Sequence, residues 1–260
     1  MDFKTIQLEI VDSVGVIYLN QPESRNALSL EMREELRVAM EGWAREAGVK
    51  VIIITGKGAA FCAGGDIRTM GNFKPTQGRE RMKNVHRFVM TLRNLEKPII
   101  AAVNGPAFGA GWSLALLCDL IVASEKARFS LAFVKVGLVP DWGSIYLLPR
   151  MIGLLKAKEL MMTGRAIDAA EAYNLGLVNK VVPPEQLFTS AMELARELAQ
   201  GPPLALGMLK NLVNRSPEVG FLTLLEEEAL VQDICLQTED HREGVRAFFE
   251  KRKPRFTGTL

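Results

Sequence analysis

The chain has 260 residues, 48% hydrophobic and 24% charged, with a formal net charge of +2. That is a soluble globular composition, long enough for one large domain or a domain with an appendage. The near balance of charge leaves no broad footprint for nucleic acid or a membrane surface, and no run of about 18 apolar residues is present to span a bilayer.

The N-terminal "MDFKTIQLEIVDSVGV" has neither the basic start nor the continuous apolar core of a signal peptide. "GVIYLN" (15–20) reads as a strand, and "LSLEMREELRVAMEGWARE" (28–46) as an amphipathic helix with Ser29 as its N-cap. "VKVIIITG" (49–56) is a continuous apolar run rich in β-branched residues, which predicts a strand buried on both faces. A polar loop follows, then a helix over about 77–95. "PIIAAVNG" (98–105) predicts a second buried strand, "GWSLALLCD" (111–119) a short apolar helix and "DLIVAS" (119–124) a third strand. Strands alternating with helices define an α/β protein. After about residue 182 the character changes. Four segments, 185–200, 203–215, 221–237 and 239–253, read as helices separated by Pro and Gly. A helical section therefore begins near residue 201, and its extra apolar faces point to a partner subunit.

The three cysteines, Cys62, Cys118 and Cys235, are widely spaced and form no CxxC pair. This gives no zinc or redox motif and predicts packing residues in a reduced, cytoplasmic protein.

Two glycine-containing turns follow buried strands: "FCAGGDI" (61–67) and "NGPAFGAGWSL" (104–114). Neither is a dinucleotide fingerprint, because the third glycine of GxGxxG would fall on Leu114. Neither is a P-loop, because no GK[ST] ends the cluster. Such turns present backbone N–H groups unobstructed by bulky side chains, as an oxyanion hole requires; close strand–helix packing needs the same small residues. Ser113, Asp141 and His241 occur in the chain order of an α/β-hydrolase triad. That arrangement needs a strand running directly into the serine, and here nine residues, 105–113, intervene; His241 sits among charges at a helix start. Asp141 itself, in "GLVPDWGS", reads locally either as a turn or helix N-cap or as a base in a dry pocket.

With these pieces placed, the sequence resembles the enoyl-CoA hydratase/isomerase (crotonase) superfamily. The resemblance rests on "NALS" (26–29), "VIIITGKGAAFCAGGDI" (51–67), "KPIIAAVNGPAFGAGWSLALLCDLIVAS" (97–124), "GLVPDWGSIYLLPRMIG" (137–153), "AYNLGLVNKVV" (172–182) and "REGVRAFFEKRKPRF" (242–256), in family order over nearly the whole chain. It implies a crotonase-like spiral of ββα repeats over 1–200 and a helical C-terminal trimerisation section over 201–260. It also implies a homotrimer or dimer of trimers, an acyl-CoA thioester as substrate, no metal, and no cofactor beyond the CoA moiety itself. By position, the thioester oxygen belongs on the backbone N–H groups of Gly65 and Ala110. The CoA belongs near Ala27, Ala63, Asp66 and Ile67, with Arg25 near its phosphates. Phe248 and Lys251 match residues that reach the CoA of a neighbouring subunit.

The chain departs from the family's hydratases at both of their glutamate positions, which here carry Ser113 and Phe133. Neither residue can replace a carboxylate in adding water. Asp141 matches the acid of members with "VPD" at this point, which resemble Δ3,Δ2-enoyl-CoA isomerases and the ring-opening isomerases of phenylacetyl-CoA degradation. One carboxylate suffices to move a proton between two carbons. Walls of Trp142, Phe133 and Phe108 would raise its pKa by desolvation. Together with Trp112 and Ser113 they form the expected acyl pocket, and the aromatics fit either a bulky acyl group or ordinary core packing. His86 lies where related aryl-CoA dehalogenases carry a base, so hydratase or dehalogenase-like hydrolysis by Asp141 and His86 stays open. A non-catalytic CoA-ester-binding protein stays open as well.

Overall fold

A computed structural model describes residues 3–69, 71, 74 and 76–259. The chain opens with a hairpin of β1 (Ile6–Val11) and β2 (Val14–Leu19), turned through Asp12 and Ser13 at positive φ. α1 (Leu30–Arg45) starts where the Ser29 hydroxyl accepts the Met32 N–H at 3.1 Å, the predicted cap. Its buried stripe is Met32, Leu36, Ala39, Met40 and Trp43. There follow β3 (Val51–Gly56), α2 (Gln77–Asn94), β4 (Ile99–Val103), β5 (Pro106–Phe108), α3 (Ala110–Leu116), β6 (Leu120–Ser124) and β7 (Arg128–Ser130). Then come α4 (Ser144–Ile152), α5 (Leu154–Thr163), β8 (Ile167–Asp168), α6 (Ala169–Asn174), β9 (Lys180–Val182) and α7 (Leu187–Ala199). The chain ends in α8 (Pro203–Arg215), α9 (Phe221–Leu236) and α10 (Glu239–Phe249).

The main sheet has the order β1-β2-β3-β4-β6-β9 and is parallel except for the hairpin. Its continuous apolar runs are explained by two cores. Ile52, Ile54, Ile99, Ala101 and Val103 face the larger one, while Val51, Ile53, Ile100, Ala102 and Val122 face a second core closed by Leu187, Ala191, Met192 and Ala195 of α7. Period-two side-chain direction thus makes every position of a central strand buried.

A second layer is built from β5, β7 and β8. Isolated parallel bridges, Leu28 with Gly65 and Cys62 with Ala107, prolong it across successive turns. Each turn of the spiral gives a long strand to the main sheet and a short extended piece to the second layer. That arrangement stacks the two glycine turns on each other.

The C-terminal helices attach at few points. Lys210 of α8, nearly buried, reaches Asp119 at 2.9 Å and the Lys97 carbonyl at 3.1 Å. Buried Asp240 accepts the N–H groups of Thr257 and Gly258, which folds the tail back on α10. α9 buries none of its residues in this chain, although Phe221, Leu222, Leu225, Leu230 and Ile234 are apolar. Among the described residues no helix is long and apolar enough to cross a membrane.

Candidate active site

Buried Asn26, at φ +56, ties the first turn of the spiral to the second. Its amide donates to the carbonyls of Lys57 and Ala60 at 2.9 Å each and accepts the Gln21 N–H at 2.9 Å. Just beyond it, Ala63 N–H donates to the Arg25 carbonyl and Leu28 N–H to the Gly64 carbonyl. The second glycine turn is laid on the first by Cys62 N–H to the Pro106 carbonyl and Phe108 N–H to the Cys62 carbonyl. Gly64 (φ +104) could not carry a side chain: a β-carbon would lie 2.6 Å from the Phe108 oxygen and 3.5 Å from the Ala110 nitrogen. A β-carbon on Gly111 would lie 2.3 Å from the Cys62 oxygen.

This contact of two turns leaves two donors unspent. Among the described residues, neither the Gly65 N–H nor the Ala110 N–H donates to an acceptor. Ala110 opens α3, where the first N–H groups of a helix have no partner inside it. Ser113 braces the turn, its hydroxyl donating to the Gly109 carbonyl at 3.3 Å. The Phe133 ring edge lies 3.8 Å from where a Gly109 β-carbon would stand. Both residues at the expected glutamate positions therefore border the Gly109–Ala110 turn and bring no acid to it.

Arg25, Ala27, Ala63, Asp66 and Ile67 fall on the two strips of chain joined by these hydrogen bonds. Arg25 and Ala63 are exposed, Ala27 is half-buried, and Ile67 holds a large apolar side chain 66% exposed. The Asp66 carboxylate is buried against the Arg68 guanidinium at 2.9 Å, which holds its pKa below the usual range. Exposed Phe248, near the end of α10, lies on a cleft of ≈ 610 Å3 lined entirely by residues of the C-terminal section, and Lys251 is exposed just beyond that helix.

Asp141 does not cap α4. Gly143 is the N-cap, and only the Asp141 backbone carbonyl takes part in the turn, accepting the Ser144 N–H at 3.1 Å and hydroxyl at 2.8 Å. Its carboxylate oxygen Oδ1 is buried without a hydrogen-bond partner. Burial pushes this carboxyl up to about 6, against the opposing pull of Arg33 and Arg81. The next residue, Trp142, is fully buried at φ +55, a rare backbone conformation for a bulky side chain. Its ring meets Phe88 edge-on at 5.4 Å and lies under the Arg33 guanidinium at 5.6 Å. Phe88, Trp142 and Arg33 line a cavity of ≈ 690 Å3 between α1 and α2.

The structure places two residues whose roles the sequence left open, and it does not form the triad that the sequence already disfavoured. His86 is on the exposed side of α2, away from the buried Val85, Phe88 and Leu92, and its charge acts on Asp141 less than Arg33 or Arg81 does. Trp112 packs into the main core against Phe129, with ring centres 5.7 Å apart. The hydrolase triad does not assemble: Ser113 bonds to the Gly109 carbonyl, and exposed His241 lines the C-terminal cleft. Sequence reasoning also passed over Arg33. Its signal is its place in α1, adjoining the buried Met32 and Leu36, where an arginine is held against the core.

The spiral α/β frame thus brings two unspent backbone donors to one turn and holds a desolvated carboxylate at Asp141. Residues 9–259 match the family model described as enoyl-CoA hydratase/isomerase. A 1,2-epoxyphenylacetyl-CoA isomerase of Escherichia coli (strain K12) is 38% identical over 250 residues, covering 94% of this chain and 95% of that protein. A crotonyl-CoA hydratase of Syntrophomonas wolfei is 36% identical over 257 residues, covering 98% and 99%. A crystal structure of an enoyl-CoA hydratase subunit I from Geobacillus kaustophilus HTA426 superposes with a TM-score of 0.95 at 40% identity, covering 100% of both chains. The chain belongs to the enoyl-CoA hydratase/isomerase family, with a crotonase-like fold, and is an enzyme acting on CoA esters.

Proposed function

We propose that the protein isomerises the double bond of an enoyl-CoA thioester, with Asp141 as its single acid and base. The observation that carries this reading is half-buried Asp141, whose carboxylate Oδ1 is buried and unpartnered, while Ser113 and Phe133 stand where two glutamates would serve hydration. In the proposed reaction the Asp141 carboxylate removes a proton from C2 of a 3-enoyl thioester. The electron pair passes into the thioester carbonyl, and the N–H groups of Gly65 and Ala110 hold the resulting dienolate oxygen. Asp141 then returns its proton to C4, giving the conjugated 2-enoyl thioester. One such backbone donor is typically worth about 3 kcal/mol in the transition state. Atoms and electrons balance without a redox partner or an added cofactor.

The strip of Arg25, Ala27, Ala63, Asp66 and Ile67 is the proposed seat of the CoA. The apolar, unburied α9 supports a homotrimer or dimer of trimers, in which Phe248 and Lys251 would reach a neighbour's CoA. Hydration of a 2-enoyl-CoA is the second reading, favoured by relatives such as the crotonyl-CoA hydratase.

The deciding measurement follows formation of the conjugated thioester from a 3-enoyl-CoA, wild type beside Asp141→Asn. We expect conjugation by the wild type and a loss of at least about a thousandfold in the variant, as when a proton-transfer group is removed. Formation of 3-hydroxyacyl-CoA from a 2-enoyl-CoA, with no conjugation of the 3-enoyl-CoA, would replace isomerisation by hydration.

A further inference from the structure

The cavity between α1 and α2 is charged in a particular way. Its lining includes four arginines and two glutamates. Both glutamates, Glu34 and Glu41, are occupied by Arg37, each at 2.5 Å. The Asn84 side-chain oxygen is occupied by Arg87 at 3.1 Å. The Arg33 Nε donates to the Leu28 carbonyl at 3.0 Å, and among the described residues the rest of its guanidinium has no acceptor. The adjoining Trp142 Nε1 is buried without an acceptor. Both glutamates are thus neutralised by Arg37, while Arg33 and the Trp142 Nε1 keep N–H groups without an acceptor beside the apolar walls of Val85, Phe88 and Trp142.

Arg33 is partly withdrawn from solvent. Its guanidinium lies over Trp142, and it is in electrostatic range of Asp141, Asp66 and Arg81. It makes no hydrogen bond to Asp141. Burial and the charge of Arg81 draw the Arg33 pKa down to about 10, the direction expected of a cation that lacks a close counter-ion. A guanidinium in such a place is suited to a planar anion held by two parallel hydrogen bonds.

We infer that the acyl group taken by this enzyme carries a second carboxylate, remote from the thioester, which Arg33 binds in the cavity that it lines with Phe88 and Trp142. The inference rests on the proposed course of the acyl chain, from Gly65 and Ala110 past Asp141. It makes the substrate class the CoA monothioester of a dicarboxylic acid. Binding a carboxylate on Arg33 also gives that cation a counter-charge, which offsets its pull on Asp141 and leaves Asp141 the stronger base.

Calorimetry with saturated, unreactive thioesters separates this inference from the isomerase reading. Glutaryl-CoA is compared with 5-methylhexanoyl-CoA, and adipoyl-CoA with 6-methylheptanoyl-CoA; each pair differs only in carboxylate against isopropyl. For at least one pair, wild type is expected to bind the diacid thioester about tenfold tighter or more, the scale of one charge-assisted bidentate contact. Arg33→Met is expected to remove that preference and to leave free CoA binding within about threefold, since free CoA has no acyl group for Arg33 to hold. Arg33→Gln, with retained circular dichroism and melting temperature, guards against misfolding of the first variant. No diacid preference in either pair overturns the inference, as does equal weakening of free CoA and both thioesters, which would assign Arg33 to the CoA phosphates. Diacid preference without conjugation of any 3-enoyl-CoA removes the isomerase reading and keeps this one.

Discussion

At the scale of the residue, the proposed base Asp141 carries a cost in stability. Its carboxyl titrates near 6 in the folded chain against an ordinary 3.8. Below the lower value it is protonated in both states, and burial adds no penalty. As pH rises the unfolded chain gives up the proton first, so this group's contribution to stability falls between those two values and stays low above the folded one. The full loss is about 3 kcal/mol. Asp141→Asn should therefore be more stable than wild type by about 1–3 kcal/mol at pH ~8 and nearly equal to it at pH ~3.5, as read by urea unfolding. The proposed base works ionised, so kcat/KM for conjugation should rise with pH, reach half its plateau near 6 and level off above about 7. A flat profile between about pH 5 and 8 would separate Asp141 from the proton transfer.

At the scale of the element, the proposed oxyanion-binding turn is a contact between two loops rather than a property of either. Gly64 stands at φ +104 with the Phe108 carbonyl where its side chain would go. Gly64→Ala must push the turns apart and turn the Gly65 N–H away from its target. We expect kcat to fall by about a hundredfold or more, the usual effect of losing one such donor, while affinity for an unreactive acyl-CoA changes by a few fold. Wild-type kcat in this variant would show that the Gly65 donor is not used. Trp142 serves the same end from the other side. Its positive φ, held by packing on Phe88 and Arg33, sets the path of the chain at Asp141 just before α4 begins. Strain of this kind persists only where surrounding contacts over-determine it.

At the scale of the whole molecule, the C-terminal helices are joined to the spiral by the pair of Lys210 and Asp119 and by Arg93 of α2, which binds Glu218 and the Asn214 carbonyl. Asp119 also accepts the Ile99 N–H, so the pair links α8 to β4 and to the start of β6. Lys210→Met would leave the partly exposed Asp119 carboxylate without its cation and should destabilise the protein by about 1–3 kcal/mol, seen as a lowered melting temperature; adding Asp119→Asn should restore part of it. Much of this architecture is legible in the sequence. The helices α1, α2 and α7 to α10 and the buried strands β3, β4 and β6 are long enough for period or continuous hydrophobicity to mark them, and Ser29 announces its helix. The strands β5, β7, β8 and β9 span two or three residues each, and the bridges at Gly65 and Ala107 one apiece; their partners lie in other turns of the spiral, so no local window contains them. Consecutive residues by themselves determined the α/β class, the two glycine turns and the lone acid at 141, because backbone conformation and side-chain period are local. Only the tertiary structure decided that Asp141 leaves α4 to be capped by Gly143, that His86 faces outward, that Trp112 belongs to the core and that Arg33 stands beside the site. Burial and charge at any one atom are sums over neighbours that the fold gathers from distant parts of the chain.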